Sequence, residues 1–422
     1  MTTNAGSPGR GARIVLAACM TLLSIGFVEA ALRVVGRTDA DGNFTLGHRQ
    51  ALPLRVPARH IEESVRQYRQ SSLSLFMYDP QVGWKPRPGA RNELYAYNAA
   101  GLRARTAGEP QTERKPGAFR VAIFGDSFAH GSEVTYDESW GARVQQALNR
   151  PDRPVEVLNF GVPGYGMDQA LLRWEQEGAA YRPDVIVFGL QLENAGRNLN
   201  LLRVLYDGAD LPFAKPRFVE SDRGLDVVNV PVPEPEAVVD ILRSFDSWPL
   251  AQYEAYYEPD WYRDRIWRRS RLLGMVEATL SGAERTQPTG ELPEAQRRLA
   301  IKIIERFARS VAGSGARFVV AHFPRRVDLE HARANGGQLP NSEFLAAVAR
   351  IAPVVRIEGP LLQRAGTGDL APLFRPGGHY SPEGYELLAA AVAEQLKSDL
   401  AAVRGPGTER VSAVRTERTL HK

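Results

Sequence analysis

Cysteine occurs once in these 422 residues, at Cys19. That excludes a disulfide framework and any zinc or iron–sulfur site built on thiolates. Lysine is nearly as scarce: of 53 basic residues only six are lysine, so the basic character is an arginine bias. The net charge is just +4 although the pI is near 9.1. The arginines are interleaved with acids, and no basic block carries aromatics between its charges, so nucleic acid is not an expected partner. Seven histidines include no H-x-x-x-H pair, and there is no acidic cluster, so neither a metal nor a cofactor is expected. Apolar content is not lacking. With 43% hydrophobic and 24% charged residues the chain sits at the globular average, which excludes collagen-like and wholly disordered classes. At roughly 150 residues per domain the length suggests two or three domains.

Behind a polar stretch at 1–13, residues 14–35 (IVLAACMTLLSIGFVEAALRVV) are apolar except for Glu29 and Arg33. As a helix they reach about 33 Å, enough for a hydrocarbon core of about 30 Å. Glu29 and Arg33 are four apart and share a helix face, where they can pair near the membrane surface. The expected partner of this segment is a membrane. A competing reading is a lipoprotein signal, because Leu16-Ala17-Ala18-Cys19 has the lipobox pattern. Only five apolar residues separate Arg13 from Cys19, however, short of a signal core.

Residues 36–117 are rich in Gly, Pro and Arg and read as an ordered lead-in without a core of its own. The rhythm then changes. Short apolar runs at 120–124 (RVAIF), 155–160 (VEVLNF), 185–190 (VIVFGL), 317–323 (RFVVAHF) and 354–357 alternate with helical patterns. A helix is expected through Leu148 after the first run, and others at 168–178, 293–311, 341–349 and 382–400. Strands alternating with helices predict βαβ units and a parallel sheet. About 201–290 breaks the alternation with Pro231, Pro233 and Pro235 and an aromatic-dense stretch from Trp248 to Trp267. It reads as an inserted subdomain packing its own aromatics, with a carbohydrate- or acyl-contacting platform as the alternative. A polar, basic tail at 401–422 is expected to be disordered.

Three places put reactive groups after strands, where open α/β sheets build their sites. Ser127 in Gly125-Asp126-Ser127-Phe128 lies at a strand-to-helix turn, and its own N–H faces where an anion would be favoured. Ala129 replaces the second glycine of a Gly-x-Ser-x-Gly elbow. The plain alternative is an N-cap serine with Asp126 as turn former. After the second strand, the glycines of residues 159–166 allow close backbone approach, though in an order unlike a dinucleotide site. The third place is Gly377-Gly378-His379-Tyr380-Ser381-Pro382-Glu383-Gly384, leading into the last helix. His130 is expected to face outward from the helix after Ser127, and His322 to be a core or surface residue.

Together these blocks resemble the SGNH (GDSL-type) hydrolase family over about residues 118–400. Gly125-Asp126-Ser127-Phe128 resembles the family's first block, Val157-Leu158-Asn159-Phe160-Gly161-Val162-Pro163-Gly164 its second, and the loop around His379 its last. The lead-in elements Asp79 to Trp84 and Tyr97-Asn98-Ala99-Ala100-Gly101-Leu102-Arg103, with Glu29 to Arg33, are similar to those of membrane-anchored bacterial members. The resemblance implies a three-layer α/β/α, flavodoxin-like parallel sheet with an N-terminal transmembrane helix and an inserted middle segment. It implies a Ser127 nucleophile, a His379 general base, and oxyanion donors at Ser127 and Gly164. The third block departs: Gly189-Leu190-Gln191-Leu192-Glu193-Asn194 puts Glu193 where the family has its Asn, and a carboxylate cannot donate. Asn194 donates if the loop is shifted by one. The positions two and three before His379 are Gly377 and Pro376, neither of which can orient an imidazole. Asp369, ten residues upstream, reaches only through a folded-back loop; a backbone carbonyl or a carboxylate elsewhere is the alternative. Without an orienting carboxylate, turnover in a serine protease falls about 10⁴-fold. The implied activity is an esterase on O-acyl groups of envelope or exported polysaccharide, or on small esters, at the periplasmic face of a bacterial inner membrane. An O-acyltransferase using the same pair, and a non-catalytic glycan-binding or assembly factor, are the rivals.

Overall fold

The computed structural model of the chain describes residues 9–71, 74–110, 113–207, 211–283 and 291–402. Nearly all of the tail at 401–422 lies outside them. The chain divides into two compact units. One comprises Met1–Ser72, Leu199–Lys215 and Val228–Gln287; the other comprises Leu73–Asn198, Pro216–Val227 and Pro288–Lys422.

The second unit is built on a seven-stranded sheet: Ala96–Tyr97 (β1), Arg103–Ala104 (β2), Phe119–Phe124 (β3), Val155–Asn159 (β4), Val185–Leu190 (β5), Arg317–His322 (β6) and Val354–Val355 (β7). Their order across the sheet is β7-β6-β5-β3-β4-β2-β1. The five strands β3 to β7 are parallel to one another, in the order that defines a flavodoxin-like doubly wound sheet. Every residue of β3 and β5 is buried, which is why both read as near-continuous apolar runs rather than alternating ones, Arg120 of β3 being paired with Glu156 at 2.8 Å. Successive side chains point to opposite faces. A side chain at Gly141 would touch Ile123 Cδ1, which places helix Trp140–Leu148 on one face. The Phe124 ring packs against Trp174 and Phe307, which places helices Met167–Gln176 and Glu294–Gly313 on the other. The unit therefore has three layers.

Two features differ from the sequence expectations. The lead-in is not a separate segment up to residue 117, since it extends the sheet: β2 pairs antiparallel with β4, and β1 pairs antiparallel with β2. The helix expected through Leu148 is broken. Helix Ser127–His130 ends at Gly131, which is left-handed (φ 77°), and a second helix starts only at Trp140, capped by the Ser139 hydroxyl. Glu133, at φ 63°, lies in the intervening turn.

In the first unit the helix Arg10–Val35 has 26 residues, none buried, with mean hydropathy 2.1 in its most apolar stretch. That is long and apolar enough to cross a membrane, and a signal sequence has the same character. The Glu29–Arg33 pair is formed at 2.8 Å. Glu29 also accepts hydrogen bonds from the Ser270 hydroxyl and from the N–H groups of Arg271 and Leu272, each at 2.9 Å. It thereby closes the N-terminus of helix Arg271–Leu280, where a carboxylate contributes roughly 0.3–1 kcal/mol through the helix dipole. Residues 199–215 and 228–283 thus do not form an insertion packing only on itself. They cluster with the chain before Ser72, for example through Tyr68 edge-on to Phe213 at 5.1 Å.

Candidate active site

Two positions at the Ser127 turn leave no room for a side chain. Gly125 sits at φ 145°, and a Cβ there would lie 2.8 Å from Ala129 Cβ and 2.9 Å from the Gly189 carbonyl oxygen. A Cβ on Gly161 would lie 2.4 Å from His130 N, so the second block passes directly against the short helix. Asp126, not Ser127, is the N-cap: its Oδ1 accepts from the N–H of Phe128 at 2.9 Å and of Ala129 at 3.4 Å. The Ser127 hydroxyl is left without a hydrogen-bond partner among the described residues, half-buried on the first turn. The same is true of the Ser127 and Gly164 N–H groups. An N-capping serine would have its oxygen engaged; this one is free to react.

Asp126 is fully buried, and burial pushes its carboxyl up, opposed by the Arg197 charge and the Asn194 amide. Asn194, the first residue of the short helix Asn194–Arg197 after β5, donates from Nδ2 to Asp126 Oδ2 at 3.0 Å and accepts from Arg197 Nη1 at 2.8 Å. Arg197 also pairs with Glu193 at 2.9 Å. The third block therefore braces the cap of the Ser127 turn. One of Asn194's two amide hydrogens is held there, and Glu193 is tied to Arg197.

His379 finds the carboxylate that the sequence lacks near it. Its Nδ1 lies 2.6 Å from Glu133 Oε2. The same carboxylate accepts from the backbone N–H of His379 at 3.2 Å and of Gly377 at 2.9 Å. Gly377 is the residue that makes room: a Cβ there would stand 2.6 Å from Glu133 Oε2. Burial pulls the Glu133 carboxyl upward, but the His379 bond and the two backbone donors outweigh it and hold the group below the ordinary range. An ionised carboxylate only accepts, so Nδ1 carries the proton and Nε2 presents its lone pair. The Phe128 ring, next in sequence to Ser127, packs on the imidazole with centroids 4.9 Å apart. Asp369 is elsewhere: it accepts from Ala371 N at 2.9 Å and lies 3.5 Å from Arg326, so it does not orient His379.

His130 does not face outward. It is fully buried, and burial followed by the Arg103 charge holds its pKa well below the usual value. Its Nε2 meets the Tyr97 hydroxyl at 3.1 Å. Arg103, on β2, donates to the carbonyls of His130 at 2.7 Å, Gly131 at 2.5 Å and Val134 at 2.7 Å. The Tyr95 hydroxyl accepts from Glu133 N–H at 2.8 Å. The Tyr97-to-Arg103 element of the lead-in thus clamps the turn that delivers Glu133. Sequence reasoning missed Glu133 because it sought the carboxylate beside the histidine. The signal present was a Gly-Ser-Glu interruption at 131–133 inside an otherwise helical pattern.

No protein-family model and no curated protein matches the chain. Among solved structures, it is similar to a lipase/acylhydrolase from Enterococcus faecalis at 13% identity, covering 69% of this chain and 99% of that one, with a TM-score of 0.35. A lipolytic protein of the G-D-S-L family from Desulfitobacterium hafniense DCB-2 is similar at 14% identity, with 65% and 98% covered and a TM-score of 0.32. A catalytic mutant of an acetylxylan esterase from Geobacillus stearothermophilus is similar at 12% identity, with 68% and 97% covered and a TM-score of 0.37. Likenesses at these identities and TM-scores assign no activity to this chain.

Proposed function

We propose that the second unit is an SGNH-type serine ester hydrolase with Ser127, His379 and Glu133 as its catalytic triad. The observation that carries this reading is the 2.6 Å contact between His379 Nδ1 and Glu133, which supplies the orienting carboxylate missing from the family's usual place. In this reading His379 Nε2 takes the Ser127 proton as Oγ attacks the ester carbonyl, and Glu133 stabilises the imidazolium that forms. The tetrahedral oxyanion receives the N–H groups of Ser127 and Gly164, both without an internal acceptor, and the remaining amide hydrogen of Asn194. The imidazolium then protonates the leaving alcohol, and water or an acceptor hydroxyl releases the acyl group from Ser127 by the same route in reverse. Asp126 acts through the turn it caps, as a positioning residue.

The substrate class proposed is the O-acyl group of an envelope or exported polysaccharide, resting on the resemblance of the sequence blocks. The helix within Arg10–Val35 is proposed as a single-pass anchor in the inner membrane, with the second unit on the periplasmic side. A fluorophosphonate ester probe tests the chemistry. A covalent adduct on Ser127, absent from Ser127→Ala and strongly slowed in Glu133→Gln, is expected. No adduct between about pH 6 and 9 would leave the non-catalytic scaffold as the better reading. An acylated glycan formed from an activated donor, with little free acid, would identify a transferase.

A further inference from the structure

The first unit carries a second apolar surface that its own fold does not use. Outside the helix Arg10–Val35, the exposed large apolar side chains among the described residues are three singletons and one group within residues 266–280. The group consists of Ile266 (77% exposed), Trp267, Leu273, Val276 and Leu280 (82% exposed). Leu273, Val276 and Leu280 follow at spacings of three and four, so they share one face of helix Arg271–Leu280. Its opposite side is already covered: Gly274 and Ala278 are buried, and the Gly274 carbonyl accepts from Leu52 N–H at 3.1 Å. A helix in water that buries one face should be polar on the other, and this one is not.

The patch is also rigidly held. Arg268, with its side chain 1% exposed, pairs with Glu277 at 2.7 Å and donates to the carbonyls of Asp260 and Arg263. Trp267 donates from Nε1 to Glu277 at 2.9 Å. The patch is moreover continuous with the apolar helix, because Glu29 and Arg33 of that helix hold residues 269–272 directly. Exposed Arg33, Arg37 and Arg269 and partly buried Arg271 lie at this junction, at the end of the apolar run. Apolar side chains, a tryptophan and arginines gathered at the end of a spanning helix match the chemistry of the interface between headgroups and acyl chains.

We propose that residues 266–280 form an interfacial lid of the membrane anchor. Ile266, Trp267 and the Leu273–Val276–Leu280 face lie in the headgroup–acyl boundary of the leaflet that receives the C-terminal end of the helix Arg10–Val35. The proposal rests on the reading of residues 14–35 as a membrane span. It fixes how the first unit sits on the bilayer, which a single helix alone would leave free to rotate.

The test is nitroxide depth measurement on the full chain in vesicles of phosphatidylcholine and phosphatidylglycerol. Single labels are placed at Leu22→Cys, Ile266→Cys, Leu280→Cys and Leu94→Cys, each in a Cys19→Ser background. Relaxation by oxygen is expected to exceed relaxation by a water-soluble nickel chelate at 22, 266 and 280, and to fall below it at 94. Labels at 266 and 280 that behave like the one at 94, while 22 stays in lipid, overturn this proposal and leave the anchor standing. A label at 22 that is accessible to the nickel chelate overturns the anchor and the proposal together. Spin–spin broadening at 280 that disappears on dilution with unlabelled protein overturns it in favour of a second copy of the chain.

Discussion

Glu133, the proposed orienting carboxylate, shows how such a group can be invisible at the residue level and plain in space. It is 246 positions from the histidine it orients. Nothing in its immediate sequence marks it, whereas Ser127 and His379 stand in recognisable blocks. Those two were legible because their neighbours, Gly125 and the Gly377-Gly378 pair, serve needs of the backbone that only glycine meets. A carboxylate has no such neighbour requirement and can arrive from any turn that reaches. Replacing Glu133 by Gln keeps the shape but removes the charge that favours the imidazolium. On the proposed mechanism turnover should fall by about 10³–10⁴, as for removal of the orienting acid in a serine protease, with KM nearly unchanged. Steady-state kinetics on a chromogenic acetyl ester measures this; a loss of less than tenfold would remove Glu133 from the triad. Asp369→Asn should leave the same kinetics unaltered, since that side chain holds Ala371 and Arg326.

At the scale of elements, the parallel strands were readable from the sequence because burial on both faces keeps β5 apolar throughout and β3 apolar except for Arg120, whose charge is paired with Glu156 at 2.8 Å. The break between helices Ser127–His130 and Trp140–Leu148 was not. The weak helix formers Gly131, Val134 and Thr135 mark an interruption, but the path of the chain through it is fixed by tertiary bonds from Arg103. Arg103 sits at 4% exposure with three backbone carbonyls as its acceptors. Arg103→Ala leaves the buried Gly131 and Val134 carbonyls without this donor, at about 1–3 kcal/mol each, while the His130 carbonyl keeps the Asn159 amide at 3.4 Å. A total loss of at least about 2 kcal/mol in denaturant unfolding is expected. Arg103→Lys, a single point charge on a flexible stem, should retain part of the stability yet lower kcat more than it raises KM, by letting Glu133 move. Equal effects on kcat and KM would reduce Arg103 to a purely structural role. Gly125→Ala probes the neighbouring turn. Its φ of 145° and the 2.8 Å approach to Ala129 predict destabilisation by more than about 1 kcal/mol, readable as a lowered unfolding midpoint.

At the scale of the whole molecule, two buried histidines set the response to acid. His322 is 1% exposed, neither ring nitrogen has a hydrogen-bond partner among the described residues, and burial pushes its pKa down to about 3. His130 is depressed in the same direction. In the unfolded chain both titrate near 6.5. Below that pH the unfolded state takes up protons that the folded state refuses, so stability is present above about pH 6.5 and is lost as the pH falls toward the folded values. Each histidine contributes a slope of about 1.4 kcal/mol per pH unit in that window. Asp126, raised by burial, acts with the opposite sign and offsets part of the loss at its own titration. His322→Leu should therefore be neutral or stabilising near pH 7 and should flatten the decline between about pH 6 and 4, as measured by denaturant midpoints. An unchanged slope would mean that His322 protonates without unfolding.

The Glu29 contacts also bear on how the protein is handled. Trimming the chain at residue 36 to obtain a detergent-free preparation discards the carboxylate that closes helix Arg271–Leu280. Low yield or low activity of such a preparation would then report an uncapped helix rather than a need for lipid. A preparation beginning at residue 28 keeps the cap and half-empties the apolar segment, and comparing the two separates a folding defect from a membrane requirement.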